Sequence, residues 1–163
     1  MDEIFDDSYE IDEDAQKSKY LTFHLDKELY GIALKNVVEI IGFQEITEVP
    51  EMPVYVKGII NLRGKIIPVM DIRLRFKKPA REYNNRTCIV IIEVKNIILG
   101  LIVDGVIEVS YIHEQDIIPP PQFNSDFNNK YINAIGKVGD SIRMLLDCEK
   151  LLTEEEFESL TGT

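Results

Sequence analysis

The segment between Gly58 and Lys65 is the part of this chain that comes nearest to a phosphate-binding motif. Such a loop needs four residues between its two glycines and a Ser or Thr after the lysine to hold Mg²⁺. Here five residues separate Gly58 from Gly64, and Ile66 stands where the hydroxyl is required. The pattern therefore does not predict a nucleotide site.

The other residue types that could support chemistry do not form recognisable sets. Neither His24 nor His113 has a Cys or a carboxylate at the spacing of a metal site. Cys88 and Cys148 both adjoin apolar runs, which favours burial over reactivity. No Ser lies in a Gly-x-Ser-x-Gly turn, and no pair of carboxylates is singled out for acid–base work. We therefore expect no catalytic residues, no metal and no cofactor.

Residues 56–71 predict a β-hairpin that presents a single arginine. Two runs rich in Ile and Val flank a short polar turn, and Gly64 supplies the positive φ that a tight turn needs. Arg63 lies at the tip, where its planar donors suit carboxylates and carbonyl oxygens of a partner. The alternative is a merely solvated turn arginine. Glu39 could pair with it, for at most ~1 kcal/mol if both are exposed.

The chain contains an internal repeat. Residues 23–40 align without a gap with residues 92–109, at an offset of 69. Residues 55–71 align with residues 131–147 at an offset of 76, and one insertion of seven residues reconciles the two offsets. A unit of this length is too long for a solenoid repeat and suits a small β-barrel formed twice.

The two copies differ at the hairpin turn. Arg63 of the first copy aligns with Gly139 of the second. A requirement of the fold would apply to both turns, so the arginine is a candidate recognition residue.

Composition and repeat together predict a mainly β fold. Ile and Val are abundant and Ala is scarce, and each half offers about five short strands with turn signals between them. Thr153 and Glu156 form a capping box that predicts a short helix over 154–160. The expected organisation is an acidic tail (1–16), a first barrel (17–82), a second barrel that shares its core with the first (83–152), and a C-terminal helix and tail (153–163).

The acidity of the chain is concentrated at its ends. Eight acids lie within residues 1–14 and four within residues 154–158, and without these twelve the net charge of −11 becomes +1. We expect residues 1–16 to form a self-repelling, disordered tail. The near-neutral middle has no basic face, which argues against nucleic acid as a partner.

The sequence lacks the patterns of membrane and secreted proteins. No apolar run reaches the ~20 residues needed to span a bilayer, and the N-terminus lacks the charged and apolar regions of a signal peptide. The two cysteines do not form a close-spaced motif. We therefore expect a cytoplasmic protein with reduced cysteines.

From Tyr20 to Leu152 the sequence resembles the CheW family of bacterial chemotaxis coupling proteins. Besides the hairpin segment, short runs match family positions in family order: Tyr30-Gly31-Ile32, Val38-Glu39-Ile40, Asp71-Ile72-Arg73, residues 100–106 and Leu145-Leu146-Asp147. The resemblance implies two small five-stranded β-barrels with an intertwined core. It also implies an adaptor that joins chemoreceptors to the histidine kinase CheA. The chain carries no kinase, phosphotransfer or receiver sequence, so we expect a free-standing coupling protein.

The resemblance also implies two binding surfaces. In the family, the helical tip of a receptor docks into a groove between the barrels. The positions of this chain that match the groove are Val37, Val38, Ile41, Val103 and Val106, and those that match its rim are Glu39 and Arg63. Kinase contact is expected at one end of the first barrel, at Ile46, Val49, Lys57, Gly58, Met70 and Ile72. Each groove valine could instead be ordinary core, and that alternative stays open.

The predicted function is coupling without catalysis. The expected partners are the regulatory domain of CheA and the cytoplasmic tip of chemoreceptors, with recruitment to membrane-bound receptor arrays and no direct membrane insertion. We expect a monomer in isolation because no further apolar face is apparent. The alternative is a general peptide-binding β module in another signalling pathway, which retention by a receptor fragment would distinguish. A small enzyme, a third class, would need a pocket with perturbed titratable groups.

Overall fold

Short strands dominate the described part of the chain. The computed structural model describes residues 18–120 and 130–160, and the predicted acidic tail, residues 1–16, lies outside these ranges. The strands are β1 Lys19–Leu25, β2 Glu28–Ala33, β3 Val37–Gly42, β4 Val56–Leu62, β5 Lys65–Asp71, β6 Cys88–Val94, β7 Ile97–Val103, β8 Gly105–Tyr111, β9 Ile117–Ile118, β10 Ile132–Val138 and β11 Ser141–Leu146. Two short α-helices are α1 (Ile72–Arg75) and α2 (Glu154–Leu160). The prediction of a mainly β protein is confirmed.

The strands form two open sheets. The six-stranded sheet has the order β8–β1–β2–β11–β10–β9, and the five-stranded sheet has the order β3–β6–β7–β5–β4. The prediction of two small five-stranded β-barrels is therefore wrong in two respects: neither sheet closes into a barrel, and one of them has six strands. Closure of the five-stranded sheet would need a ladder between its edge strands, β3 and β4. The segment that joins them in sequence makes only one bridge to β4, from Thr47 to Ile59, so no continuous ladder closes the sheet.

Each sheet is assembled from both copies of the sequence repeat. The six-stranded sheet contains β1 and β2 of the first copy together with β8, β10 and β11 of the second. The five-stranded sheet contains β6 and β7 of the second copy together with β3, β4 and β5 of the first. The two parallel pairings are equivalent under the sequence offsets. Gly31 pairs with Leu145, and Gly100, 69 residues after Gly31, pairs with Val69, 76 residues before Leu145. The two copies thus exchange strands, and sheet membership does not follow the boundary predicted after residue 82.

Each of the two parallel pairings contains a glycine at an equivalent position of the repeat. A Cβ on Gly31 would lie 2.7 Å from Cδ2 of Leu145, and a Cβ on Gly100 would lie 2.7 Å from Cγ2 of Ile89. Both distances are well below ordinary carbon–carbon contact. Gly31 therefore allows β2 to approach the exchanged strand β11, whereas Gly100 leaves room for a side chain of β6, its antiparallel neighbour.

The main core lies between the two sheets and draws on both. Phe23 and Ile32 from the six-stranded sheet belong to one cluster with Val90 and Leu101 from the five-stranded sheet. A second cluster covers the other face of the five-stranded sheet, and its members are Ile60, Ile67, Val69, Ile89, Ile91 and Ile102. Burial of each such side chain contributes about 1.5–3 kcal/mol. The shared core therefore holds the exchanged strands together.

Two local predictions are confirmed. Strands β4 and β5 form the expected hairpin, since Leu62 pairs with Lys65 across a two-residue turn. The helix α2 begins with the expected capping box: the Glu156 amide donates to Oγ1 of Thr153 at 3.1 Å, and the Thr153 amide donates to Oε1 of Glu156 at 2.8 Å. No helix within 18–120 or 130–160 has the length and apolar content needed to cross a membrane.

Candidate functional site

The hairpin tip positions Arg63 on the surface. Arg63 and Gly64 both have positive φ, +50° and +88°, which gives the tight turn that a two-residue hairpin loop requires. The Asn61 side chain supports this turn by accepting from the Gly64 amide at 2.9 Å. The Arg63 side chain is 70% exposed. A non-glycine residue at positive φ costs free energy, so the fold itself does not favour arginine here.

Arg63 is held by Glu39 on a distant strand. Its Nη2 donates to Oε1 of Glu39, which lies in β3. Because β3 and the β4–β5 hairpin lie at opposite edges of the five-stranded sheet, this ion pair shows that the sheet curls until its edges come near each other. Gln44 spans the same gap, since its Nε2 donates to the Asn61 carbonyl at 3.5 Å. The predicted rim residues are thus together.

The edge strand β3 carries an exposed apolar face beside this ion pair. Val38 and Ile40 are about half exposed, and they alternate with Val37, Glu39 and Ile41, which are more buried. Alternating exposure is the pattern of a strand with one solvated face, although the pairing of β3 with β6 shifts register between Val37 and Glu39. Val38 is thus the accessible apolar residue among the predicted groove positions of β3.

The predicted groove valines do not all reach the surface. Val37 and Val106 both pack against the shared core while remaining partly exposed, and they lie in different sheets. Val103 is 1% exposed and belongs to the core itself. For Val103 the alternative that the sequence left open, ordinary core, is what the structure has.

A second exposed edge was missed by the sequence reasoning. In β8 the side chains of Ile107, Val109 and Tyr111 are each about half exposed. Ile107 and Val109 are the repeat equivalents of Val38 and Ile40, at the offset of 69. Applying the offset to the exposed residues of β3 would have found this face.

The predicted kinase face divides into surface and core residues. Ile46, Val49 and Lys57 are partly exposed and lie in or near the segment that joins β3 to β4. Met70 and Ile72 are only 2% and 0% exposed, so they stabilise the core and cannot contact a partner in this structure.

Gly58 and Val54 complete this face in different ways. A Cβ on Gly58 would lie 2.1 Å from the carbonyl oxygen of Thr47, and its φ is +148°, so the fold requires glycine there. Val54, which the sequence reasoning did not select, is 76% exposed. The accessible part of this face therefore lies within the segment 46–57, where Val54 is the most exposed large apolar residue.

A buried arginine lies between three elements near α1. Nη1 of Arg73 is 2.8 Å from Oδ2 of Asp104 and 3.0 Å from Oδ1 of Asp26, and Arg81 also contacts Asp104, at 3.1 Å. The Arg73 hydrogen bond is the main cause that lowers the pKa of Asp26. This network joins the β1–β2 turn, α1 and the β7–β8 junction, and we assign it a structural role.

A second buried arginine lies in the six-stranded sheet. Nη1 of Arg143 donates to Oγ1 of Thr22 at 2.6 Å and to Oγ of Ser110 at 2.8 Å, and Nη2 is 3.2 Å from Oε2 of Glu108. Hydrogen bonds from Ser110 and then Arg143 lower the pKa of Glu108. The repeat equivalents of this cluster in the other sheet are Ile67 for Arg143, Ile91 for Thr22, Ile41 for Ser110 and Glu39 for Glu108.

The titratable side chains do not assemble into a reactive centre in the part of the chain that the structure describes. Burial is the main cause that raises the pKa of the Cys148 thiol to about 12, so this thiol stays protonated near neutral pH. Over the same residues, no group of three His, Cys, Asp or Glu could hold a metal ion.

The fold and this surface define a class of protein. It is a two-sheet β module, built from a repeat with exchanged strands, that displays a charged hairpin tip beside an apolar edge strand. A family model described as the CheW-like domain matches residues 19–156. The chain belongs to the CheW family of chemotaxis scaffold proteins.

Individual relatives agree with this assignment. The chain is 34% identical over 138 residues to the chemotaxis protein CheW of Klebsiella aerogenes, covering 85% of this chain and 83% of that protein. It is 33% identical over 151 residues to CheW of Treponema pallidum, covering 90% and 89% respectively. The crystal structure of the scaffolding protein TtCheW from Thermoanaerobacter tengcongensis superimposes with a TM-score of 0.75 at 38% identity, covering 80% of this chain and 89% of that one.

Proposed function

We propose that this protein is a non-catalytic adaptor that couples chemoreceptors to the histidine kinase CheA. The observation that carries the proposal is the Arg63–Glu39 pair beside the exposed face of β3, in a chain that belongs to the CheW family. In this proposal the protein acts in the cytoplasm and reaches membrane-bound receptor arrays through its receptor contact. Partners would bind separate faces, and the receptor state would alter kinase activity through shared geometry.

The receptor surface is proposed at the β3 edge and the hairpin tip. A receptor tip is helical, and helix recognition needs an apolar strip with a polar rim. Val38 and Ile40 would supply the strip, and Arg63 and Glu39 the rim. An exposed ion pair contributes only ~0–1 kcal/mol, so Arg63 can exchange Glu39 for a carboxylate of the receptor at little cost.

The kinase surface is proposed on the segment that joins β3 to β4. Ile46, Val49 and Lys57 are partly exposed there, and Val54 is largely exposed. Because this segment directly follows β3, a shift of β3 on receptor binding would move the kinase face. Such coupling requires that receptor binding favour one of two arrangements of the segment.

Retention by an immobilised receptor fragment that contains the helical tip tests the receptor surface. We expect Arg63→Ala to weaken retention about tenfold or more, since loss of ~1.4 kcal/mol is sufficient for that change. The matched control is Lys137→Ala, which removes an exposed cation from the equivalent β10–β11 hairpin. Equal retention of both variants would count against the receptor surface.

Calorimetric titration with the regulatory domain of CheA from the same organism tests the kinase surface. We expect Val54→Asp to weaken binding, because a charge would enter an apolar contact. Ile142→Asp is the control, since Ile142 is similarly exposed but lies in β11 of the other sheet. No binding of the unmodified protein, with both partners folded, would favour a general peptide-binding module in another pathway.

A further inference from the structure

A cavity of about 330 Å³ lies against β2, β10 and β11. The rings of Tyr30, Phe76 and Tyr131 line it, with centroids 5.5 Å apart for the first pair and 5.2 Å for the second. Ile132 and Met144 complete the apolar lining. Its volume lies at the lower end of the range for ligand pockets, and an aromatic lining of this kind favours contact with an aromatic side chain.

The rim of this aromatic pocket is cationic. Lys77 and Lys78 both line it, and Lys78 is paired with Glu28. The Nζ of Lys130 lies 5.0 Å from the centroid of the Tyr131 ring. Lys77 adds a positive charge beside the Lys78–Glu28 pair. The pocket is therefore suited to an aromatic side chain that is flanked by carboxylates.

The chain itself contains a segment of that chemistry. Residues 1–16 carry Phe5 and Tyr9 among eight acids and no basic residue. We propose that this acidic N-terminal segment docks back onto the aromatic pocket, with Phe5 or Tyr9 against the rings that line it and its carboxylates beside Lys77 and Lys78.

The N-terminal segment is long enough to reach the pocket. Strand β1 begins at Lys19, and Tyr30 of the pocket pairs with Phe23 only four residues along that strand, which corresponds to about 13 Å. Ten residues separate Tyr9 from Lys19, and a flexible chain of that length spans ~17 Å on average. The tether therefore places the segment near the pocket at a high effective concentration.

Methionine methyl NMR of the full chain tests the proposal. Met144 lines the pocket, whereas Met52 and Met70 lie outside it and serve as internal references. We expect Phe5→Ser combined with Tyr9→Ser to shift the Met144 methyl signal, because a ring leaves its surroundings, and to leave the two references in place. Raising the salt from about 0.1 M to about 1 M shortens the Debye length from ~10 Å to ~3 Å and should shift Met144 in the same direction.

A double-mutant cycle separates docking from local effects of the lysine changes. In a chain with Lys77→Glu and Lys78→Glu, the Phe5 and Tyr9 substitutions should no longer move the Met144 signal. Lys57→Glu with Lys65→Glu is the matched charge control, and there the substitutions should act as in the unmodified chain. An unmoved Met144 signal in the Phe5 and Tyr9 variant, or an equal shift in both lysine backgrounds, overturns the proposal.

One other occupant is distinguished by the same measurement. Residues 121–129 precede the pocket residue Tyr131 in sequence and contain Phe123 and Phe127 with a single acid. A Met144 shift that follows Phe127→Ser, but not the Phe5 and Tyr9 substitutions, would assign the pocket to that segment and reject the N-terminal one.

Discussion

The two copies of the repeat contain equivalent glutamates that meet arginines at different depths. Glu39 of the five-stranded sheet pairs with Arg63, which stands on the surface at a hairpin tip. Glu108 of the six-stranded sheet pairs with Arg143, which is buried within a strand. The same glutamate position thus holds a surface arginine in one sheet and a buried arginine in the other.

The difference follows from what lies beneath each glutamate. Where the apolar second cluster of the five-stranded sheet has Ile67 and Ile91, the six-stranded sheet has Arg143 and Thr22. An apolar face needs no ionic partner, which leaves its arginine at the hairpin tip available to a binding partner. The polar face needs its arginine inside, because buried polar groups must be paired.

An arginine introduced into the five-stranded sheet at the position equivalent to Arg143 should have the largest effect on stability. Ile67→Arg places a charge at the position equivalent to Arg143, but with Ile91 where Thr22 supplies a hydroxyl. The equivalent carboxylate, Glu39, is already paired at the hairpin tip. A buried charge without its own partner destabilises by about 4 kcal/mol or more, so we expect loss of cooperative unfolding in urea or a large fall of its midpoint.

The reverse change is the control for this substitution. Arg143→Ile should cost about 1–3 kcal/mol, because the Thr22 hydroxyl loses its donor while Glu108 remains partly solvated. A chain that tolerates Ile67→Arg better than Arg143→Ile would contradict the assignment of the two faces.

Substitution at the equivalent glycines should have the next largest effect. Gly100→Ala and Gly31→Ala each force a Cβ against a neighbour, and overpacking costs about 1–3 kcal/mol. We expect the larger loss at Gly100, since its neighbour Ile89 is β-branched and fully buried, whereas Gly31 meets the end of the flexible Leu145 side chain. Thermal unfolding of the two variants measures which loss of stability is larger. A larger loss for Gly31→Ala would show that the Leu145 side chain cannot move aside.

Exchanging the turn residues should separate binding from stability. Arg63→Gly introduces the residue that the second copy has at this turn. Relief of backbone strain at positive φ should offset the added conformational entropy of the unfolded chain to within about 1 kcal/mol. Receptor retention should nevertheless be lost. Gly139→Arg, made separately, should leave retention unchanged; restored or altered retention there would mean that the second hairpin also contacts the receptor.

The smallest expected effect concerns acid. Because the pKa of Glu108 is lowered in the folded protein, its contribution to stability is complete above its ordinary value of 4.5 and is lost as the pH falls through the lowered value. Glu108→Gln should therefore destabilise slightly at pH 7 and match the unmodified chain well below pH 4.5. Urea midpoints at both pH values measure this; an equal difference at each would remove the ionic explanation.

Much of the architecture could be predicted because the repeat encodes it twice. The offsets that align Gly31 with Gly100 also relate the parallel pairings of those residues, and the hairpin and the capping box follow from local residue preferences. The exchange of strands could not be predicted, because alternation of apolar residues marks a buried face without naming the strand that covers it.

The geometry of the candidate site could be predicted only in part. Arg63 and Glu39 carry charge at a turn and on an edge strand, and such positions stand out in sequence. Met70 and Val103 are apolar residues of strands, and nothing local distinguishes a contact surface from the shared core that they occupy. From sequence, a lone charged residue in a strand, such as Arg143, is expected to be exposed, because the hydroxyl groups that pair with it are distant in the chain.

The exchange of strands makes the halves of this protein mutually dependent for folding. A cut between α1 and β6 would leave one fragment with the β1–β2 and β4–β5 hairpins, and isolated hairpins are at best marginally stable in water. Neither fragment would hold a complete sheet, but the two together contain every pairing. Such a chain behaves as a split protein whose pieces regain structure only by complementation, and its many distant pairings should also make folding slow.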